Sequence, residues 1–192
     1  MGQYYYLVPQ LPYLVFGQTP PMSPEAFRDL VMPLMDEQDA AMFDMIGLSL
    51  KPPIGNAADV SSGSDFIDKW REWERILRLN LVKHRSGKLK RETPSAEPPV
   101  IPSDAASAAA KAVQETPLDG EITIDKARWN AIDNLVAGSG LFDRNVVFAY
   151  MLKLIILNRQ ALFQTERGFS EYKSLYASIL EKSGNLSAGE SK

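Results

Sequence analysis

Residues 142–157 read FDRNVVFAYMLKLIIL and form the most apolar stretch of the chain. Asp143 is a helix N-cap residue at its start, and Phe142 and Val147 occupy the two positions of a hydrophobic staple. The pattern predicts a helix over residues 144–167. Because its first half is apolar on nearly every face, we expect it to be the central helix of a mainly α, bundle-like fold.

A second long helix is predicted from residues that recur at steps of three and four, namely Phe66, Trp70, Trp73, Leu77, Leu81 and His84. The charged residues between them are predicted to lie on solvated faces, with Glu74 and Arg78 as an i,i+4 pair. Core packing is the simpler interpretation of Trp70 and Trp73. An interface hot spot is the alternative.

Shorter elements are predicted on either side of these two helices. Ser23-Pro24 begins a helix that Pro33 ends or kinks, Asp36 caps the next one, and Asp125 caps another. A last helix is expected over residues 170–182. The aromatic residues of Tyr4–Val8 predict a short N-terminal extended segment or strand, and Glu121–Ile124 is a second strand candidate.

Composition divides the chain into four parts. Residues 1–91 form an N-terminal helical half, and residues 92–117 form a linker rich in proline and alanine. Within that linker a short helix is expected over residues 104–115, although its alanines offer little surface to bury. Residues 118–184 form a C-terminal helical half that packs on the first, and residues 185–192 form a flexible tail.

Residue content argues against catalysis. The chain has no cysteine and one histidine, His84, so thiolate chemistry is excluded and a histidine-based site would rest on that residue alone. Its glycines do not form a phosphate-binding loop, and its carboxylates are scattered. We therefore expect no catalytic, cofactor-binding or metal-binding residues and no small-molecule substrate. The longest apolar stretch, residues 146–157, is interrupted by Lys153 and is shorter than the roughly 20 residues that a membrane helix needs, so we expect no membrane insertion. The absence of cysteine is compatible with the cytoplasmic location that we expect.

The basic segment over residues 83–91 is the strongest charge feature. Arg85, Lys88, Lys90 and Arg91 lie in it. Cations at a helix C-terminus complement the helix dipole, which is the simpler interpretation. Contact with nucleic acid or with an acidic partner is the alternative, although the net charge of −3 does not by itself indicate nucleic acid.

Several patches of sequence resemble a family of uncharacterised bacterial proteins encoded among the subunits of V-type (A/V-type) ATPases. The patches span both halves of the chain and are Tyr4-Tyr5-Tyr6-Leu7-Val8, Leu11-Pro12-Tyr13-Leu14, Trp70 to Arg78, Pro117-Leu118-Asp119-Gly120-Glu121, Ala127-Arg128-Trp129, and Phe142-Asp143 through Tyr150 to Leu154. The resemblance implies association with a rotary ATPase and supplies no catalytic residue.

A second resemblance is to the central-stalk adaptor family of rotary ATPases, the helical proteins that seat the central stalk on the membrane rotor ring. Members of that family begin with a tyrosine-rich segment and carry an Asp-x-x-Asn-like helix start, which has a shortened spacing here in Asp143-Arg144-Asn145. This resemblance implies a role in the central-stalk adaptor.

Together these observations predict a non-catalytic subunit or assembly partner of a V/A-type ATPase, peripheral to the membrane through that complex. The alternative is a small nucleic-acid-binding regulator that uses residues 83–91. The candidate partner-binding residues are Tyr4, Tyr5, Trp70, Trp73, Arg85, Lys88, Lys90 and Arg91.

Overall fold

The computed structural model describes residues 4–48, 61–89, 103–163, 173–176 and 178–179. The chain divides into two compact units, Met1–Gln160 and Ala161–Lys192. The described residues contain no β-strand, and the predicted mainly helical, bundle-like fold is confirmed. Within these ranges no helix is both long enough and apolar enough to cross a lipid bilayer.

The described helices begin and end as follows: α1 Pro24–Val31, α2 Glu37–Phe43, α3 Asp65–Lys88, α4 Asp104–Gln114, α5 Pro117–Val136 and α6 Arg144–Ala161. Short 3₁₀ helices cover Val8–Gln10 and Met32–Leu34. In the second unit, residues 173–176 and 178–179 are helical and fall inside the predicted last helix. The predicted tail, residues 185–192, lies outside the described residues.

The predicted starts of α1 and α2 are confirmed by their caps. The Ser23 hydroxyl accepts a hydrogen bond from the Ala26 N–H at 3.1 Å, and the Asp36 carboxylate accepts one from the Asp39 N–H at 2.7 Å. Pro33 lies in the 3₁₀ turn that follows α1, because proline cannot continue an α-helix without losing a backbone hydrogen bond.

Helix α6 is the central helix that its sequence predicts. Val147, Phe148, Leu152, Leu154 and Ile156 are fully buried in the main core, with side chains from α1, α2 and α3. The helix ends at Ala161, before the predicted end. Its position explains why nearly every face of the sequence is apolar.

Both strand predictions are wrong. The N-terminal segment makes a turn and then the 3₁₀ helix Val8–Gln10, because Pro9 fixes its own φ and no neighbouring strand is available among the described residues. The candidate at Glu121–Ile124 lies inside α5. That helix begins at Pro117, and its cap is Thr116, whose hydroxyl accepts a hydrogen bond from the Asp119 N–H at 3.2 Å. Asp125 is therefore an interior residue of α5 and not its cap.

Helix α4 lies in the segment that composition marks as a linker. The short helix expected there is present, and it packs against both α3 and α5. Ala105, Ala109 and Ala112 are buried in a small second core with Leu77 and other apolar residues of α3 and α5. Alanine buries little area of its own, but its small size lets neighbouring helices approach closely.

The contact between α4 and α5 is tightest at Gly120. A Cβ atom added there would lie 2.6 Å from the carbonyl oxygen of Ala112, which is part of the α4 backbone and cannot swing aside. We expect Gly120→Ala to lower the free energy of unfolding by about 1–3 kcal/mol through overpacking.

Gly87 is the matched control, because it also lies in a helix but, apart from its own helical turn, no described atom lies within 4 Å of an added Cβ. Gly87→Ala should raise the free energy of unfolding by up to about 1 kcal/mol. Urea denaturation of both variants checks this. Equal effects of the two substitutions would contradict the close approach.

Candidate functional site

Tyr4 anchors the N-terminal segment to the main core. Its side chain is buried, its hydroxyl donates a hydrogen bond to Asp39 Oδ2 at 2.7 Å, and its backbone N–H donates to the Phe142 carbonyl at 2.8 Å. Asp39 is itself buried and accepts a charge-assisted hydrogen bond from Arg144 Nη1 at 2.9 Å. Burial, reinforced by the Asp39 carboxylate, raises the pKa of the Tyr4 hydroxyl well above its usual value.

We expect Tyr4→Phe to lower the free energy of unfolding by about 1.5–3 kcal/mol, because a buried carboxylate oxygen loses its hydrogen-bond donor. Tyr6→Phe is the control, since the Tyr6 side chain is exposed and should tolerate the change within about 0.5 kcal/mol. Chemical denaturation compares the two. A Tyr4→Phe protein as stable as the Tyr6→Phe protein would show that the anchor contributes nothing.

The same segment presents three tyrosines to solvent, which we call the exposed tyrosines: Tyr5, Tyr6 and Tyr13. Tyr5 is 53% exposed and packs on Phe142 with ring centroids 4.7 Å apart, whereas Tyr6 and Tyr13 are 87% and 90% exposed. The backbone next to Tyr13 is held in place by the Tyr150 hydroxyl, which donates to the Pro12 carbonyl at 3.0 Å. Large aromatic rings are thus displayed on a segment that is fixed at both ends.

The two tryptophans of α3 pack within the helical body. Trp70 is buried, and its indole N–H donates to the Gly47 carbonyl at 3.3 Å. Trp73 is half-buried, stacks on Trp70 with centroids 5.7 Å apart, and donates its indole N–H to Asp104 at 3.0 Å. Trp73 therefore ties α3 to α4. Of these two candidate partner-binding residues, Trp73 retains accessible surface.

The basic segment is engaged within the chain over its described part. Arg85 Nη2 lies 3.6 Å from a Glu121 carboxylate oxygen, and Lys88 Nζ donates to the Val113 carbonyl at 3.0 Å. These contacts join the end of α3 to α5 and α4. Lys90 and Arg91 lie outside the described residues.

A buried network of charges is the feature that sequence reasoning missed. Glu74 is fully buried, so its predicted solvated position is wrong, although its pair with Arg78 is present at 3.1 Å. Arg128 donates to Glu74 through Nε at 3.1 Å and Nη2 at 2.7 Å, and to Asp125 through Nη1 at 3.0 Å. Arg159 of α6 forms ion pairs with Asp125 and Glu121.

Burial dominates the electrostatics of Asp125. The carboxylate is inaccessible to solvent, and its Oδ2 atom has no hydrogen-bond partner among the described atoms. Desolvation raises the pKa of Asp125, and the opposing pull of Arg159 and Arg128 does not cancel the rise. The network therefore contains a buried carboxylate with one unpartnered oxygen, and both arginines favour its charged form.

A cavity of about 310 Å³ opens beside this network. Among the described residues it is lined by the side chains of Leu48, Arg78, Leu81, Arg85, Glu121, Ile124, Arg128 and Arg159. Arg78, Leu81 and Arg85 follow an i, i+3, i+7 spacing on α3, and Glu121, Ile124 and Arg128 follow the same spacing on α5. That shared spacing is a sequence signal that could have indicated the cavity.

The fold brings together residues that lie far apart in the sequence. The Tyr4 backbone N–H donates to the Phe142 carbonyl, and Glu74 accepts hydrogen bonds from both Arg78 and Arg128. Within the described residues no cluster of three or more His, Asp or Glu side chains could hold a metal ion.

Comparison of the chain with protein-family models, curated proteins and solved structures finds no match.

Proposed function

We propose that the chain is a non-catalytic subunit or assembly partner of a bacterial V/A-type rotary ATPase, and that it binds its partner through the exposed tyrosines. The observation that carries this proposal is the exposure of Tyr6 and Tyr13, at 87% and 90%, on a firmly anchored segment. More specifically, the sequence suggests that the chain forms part of the central-stalk adaptor.

Anchored tyrosines suit protein recognition for a physical reason. Tyrosine is enriched at interfaces because it combines a large apolar ring with a hydroxyl that finds a polar partner, and it has few rotatable bonds to immobilise. The Tyr4 and Pro12 contacts hold the backbone on either side of Tyr6 in advance. Binding then costs little additional ordering of the segment, so more of the contact energy contributes to affinity.

The identity of the partner rests on the resemblance. The resembling patches lie in both halves of the chain, and they include the Tyr4 anchor, the exposed tyrosines and members of the buried network. Within the basic segment, Lys88 donates a hydrogen bond to the Val113 carbonyl, which supports a structural role for that cation over nucleic-acid binding.

Affinity purification from the native host tests the proposal. The tagged chain is expressed at its natural level, cross-linked in cells and recovered with and without nuclease treatment. We expect V/A-type ATPase subunits to be enriched over an untagged control, with no dependence on nuclease. Recovery of nucleic acid and its binding proteins, lost on nuclease treatment and without ATPase subunits, would overturn the proposal in favour of the regulator.

A further inference from the structure

The cavity beside the buried network is lined by four arginines, and none of the exposed tyrosines is among its described lining residues. We propose that it binds a small phosphorylated molecule, a phosphomonoester that carries an apolar organic group. Counted over the described residues, four guanidinium groups line the cavity, and the carboxylates that accompany them are Glu74, Glu121 and Asp125. One positive charge is therefore in excess, which favours an anion and disfavours a cation.

Arg78 and Arg128 are held in position in advance of any ligand. Arg128 is almost completely buried, and three of its donor atoms are bonded to Glu74 and Asp125. Arg78 is fixed by Glu74 and by the Leu48 carbonyl. A guanidinium that is already oriented loses little rotamer freedom when it receives an oxyanion, and its planar fork matches the geometry of phosphate oxygens.

Arg85 is the guanidinium best placed to engage a ligand directly. Its side chain is 58% exposed, and its closest carboxylate among the described residues, that of Glu121, lies 3.6 Å away, which exceeds hydrogen-bonding distance. It lies on the same face of α3 as Arg78 and Leu81. A bound phosphate can therefore accept from Arg85 without first displacing a short ion pair.

Size and lining favour an organic phosphate over a bare ion. A volume of about 310 Å³ is at the lower end of the range for small-molecule sites and exceeds what one phosphate group fills. Leu48, Leu81 and Ile124 provide apolar wall for the remainder of the ligand. A phosphomonoester carries close to two negative charges and three acceptor oxygens, so it satisfies several guanidinium groups better than a carboxylate with two oxygens.

Calorimetric titration of the purified chain at matched ionic strength tests this assignment with three probes: phenyl phosphate, inorganic phosphate and benzoate. We expect saturable binding of phenyl phosphate that is tighter than binding of either other probe. Inorganic phosphate lacks the apolar group, and benzoate lacks the third oxygen. Because no other protein is present, the outcome is independent of the rotary ATPase proposal.

Arg85→Gln is expected to weaken phenyl phosphate binding by about tenfold or more, because a charge-assisted hydrogen bond is lost. Arg75→Gln is the matched control, since Arg75 lies on the same helix and pairs with Glu72 but does not line the cavity. Thermal melting verifies that both variants fold. An absence of saturable binding, benzoate binding as tight as phenyl phosphate binding, or an equal loss in the two variants would overturn the assignment.

Discussion

Replacing Arg128 with methionine is expected to lower the free energy of unfolding by about 3–5 kcal/mol. The side chain is almost completely buried and bonds to Glu74 and Asp125, both inaccessible to solvent. Methionine fills much of the same volume, but it leaves the buried carboxylates of Glu74 and Asp125 without the charge and hydrogen bonds that Arg128 supplies. The cost comes mainly from those carboxylates and less from the lost attraction itself.

Two comparisons isolate this effect in urea denaturation. Arg75→Met breaks the exposed pair with Glu72 and should cost at most about 1 kcal/mol. Combining Arg128→Met with Glu74→Leu removes both charges of the buried pair, so the double variant should be more stable than the sum of the single changes predicts. If Arg128→Met costs no more than Arg75→Met, the network does not stabilise the fold as described.

The pH dependence of the free energy of unfolding provides a further check on the Arg128→Met variant. Burial already raises the pKa of Asp125, and Arg128 is one of the two cations that oppose the rise. Without Arg128 the pKa should rise further. A carboxyl group whose pKa is higher in the folded state favours folding at low pH and loses that contribution as the pH increases. The stability deficit of Arg128→Met should therefore be smaller near about pH 4 than at neutral pH.

Replacing both Tyr6 and Tyr13 with serine is expected to weaken binding to the partner by a factor of about a hundred or more. Interface tyrosines of the hot-spot class each contribute about 2 kcal/mol, and a tenfold change in affinity corresponds to about 1.4 kcal/mol. Because both side chains are almost fully exposed, the free energy of unfolding should change little. Loss of affinity at constant stability distinguishes an interface from a core.

The control is Leu89→Ser, which removes an exposed apolar side chain from the end of α3. The unsubstituted chain, the double tyrosine variant and the Leu89→Ser variant are titrated against the same partner preparation. Leu89→Ser should leave the affinity for the partner unchanged. A double tyrosine variant that binds as tightly as the Leu89→Ser protein would place the interface elsewhere on the molecule.

Local signals predicted much of the fold. The apolar run that forms α6, the helical spacing of α3 and the caps at Ser23 and Asp36 each act within a few residues, so they are visible in the sequence alone. The predicted strand at Tyr4–Val8 failed because β-propensity reports how well a residue fits a sheet, and no sheet forms in the described residues.

The burial of Glu74 depends on a partner that is remote in the sequence. Its partner Arg128 is 54 positions away and on another helix, so the local pattern shows only a glutamate among arginines. The same limit applies to α4, whose alanines look unable to support packing until α3 and α5 close around them. Composition also could not distinguish the buried tyrosine of the N-terminal segment from the exposed ones. Tyr4 is an anchor, whereas Tyr6 and Tyr13, which were not among the candidate residues, are the most exposed.

Equilibrium binding of the purified chain to the purified V/A-type ATPase, measured across a salt series, tests the proposed function most directly. Mixed-sequence RNA and DNA serve as competing ligands, and the chain is compared with a variant in which Arg85, Lys88, Lys90 and Arg91 are glutamine. We expect a complex with the ATPase that persists at high salt, because aromatic contacts supply most of the affinity. The glutamine variant should associate more slowly and still bind. Micromolar binding to nucleic acid that falls steeply with salt and disappears in the variant, with no ATPase complex in either protein, would contradict the proposal.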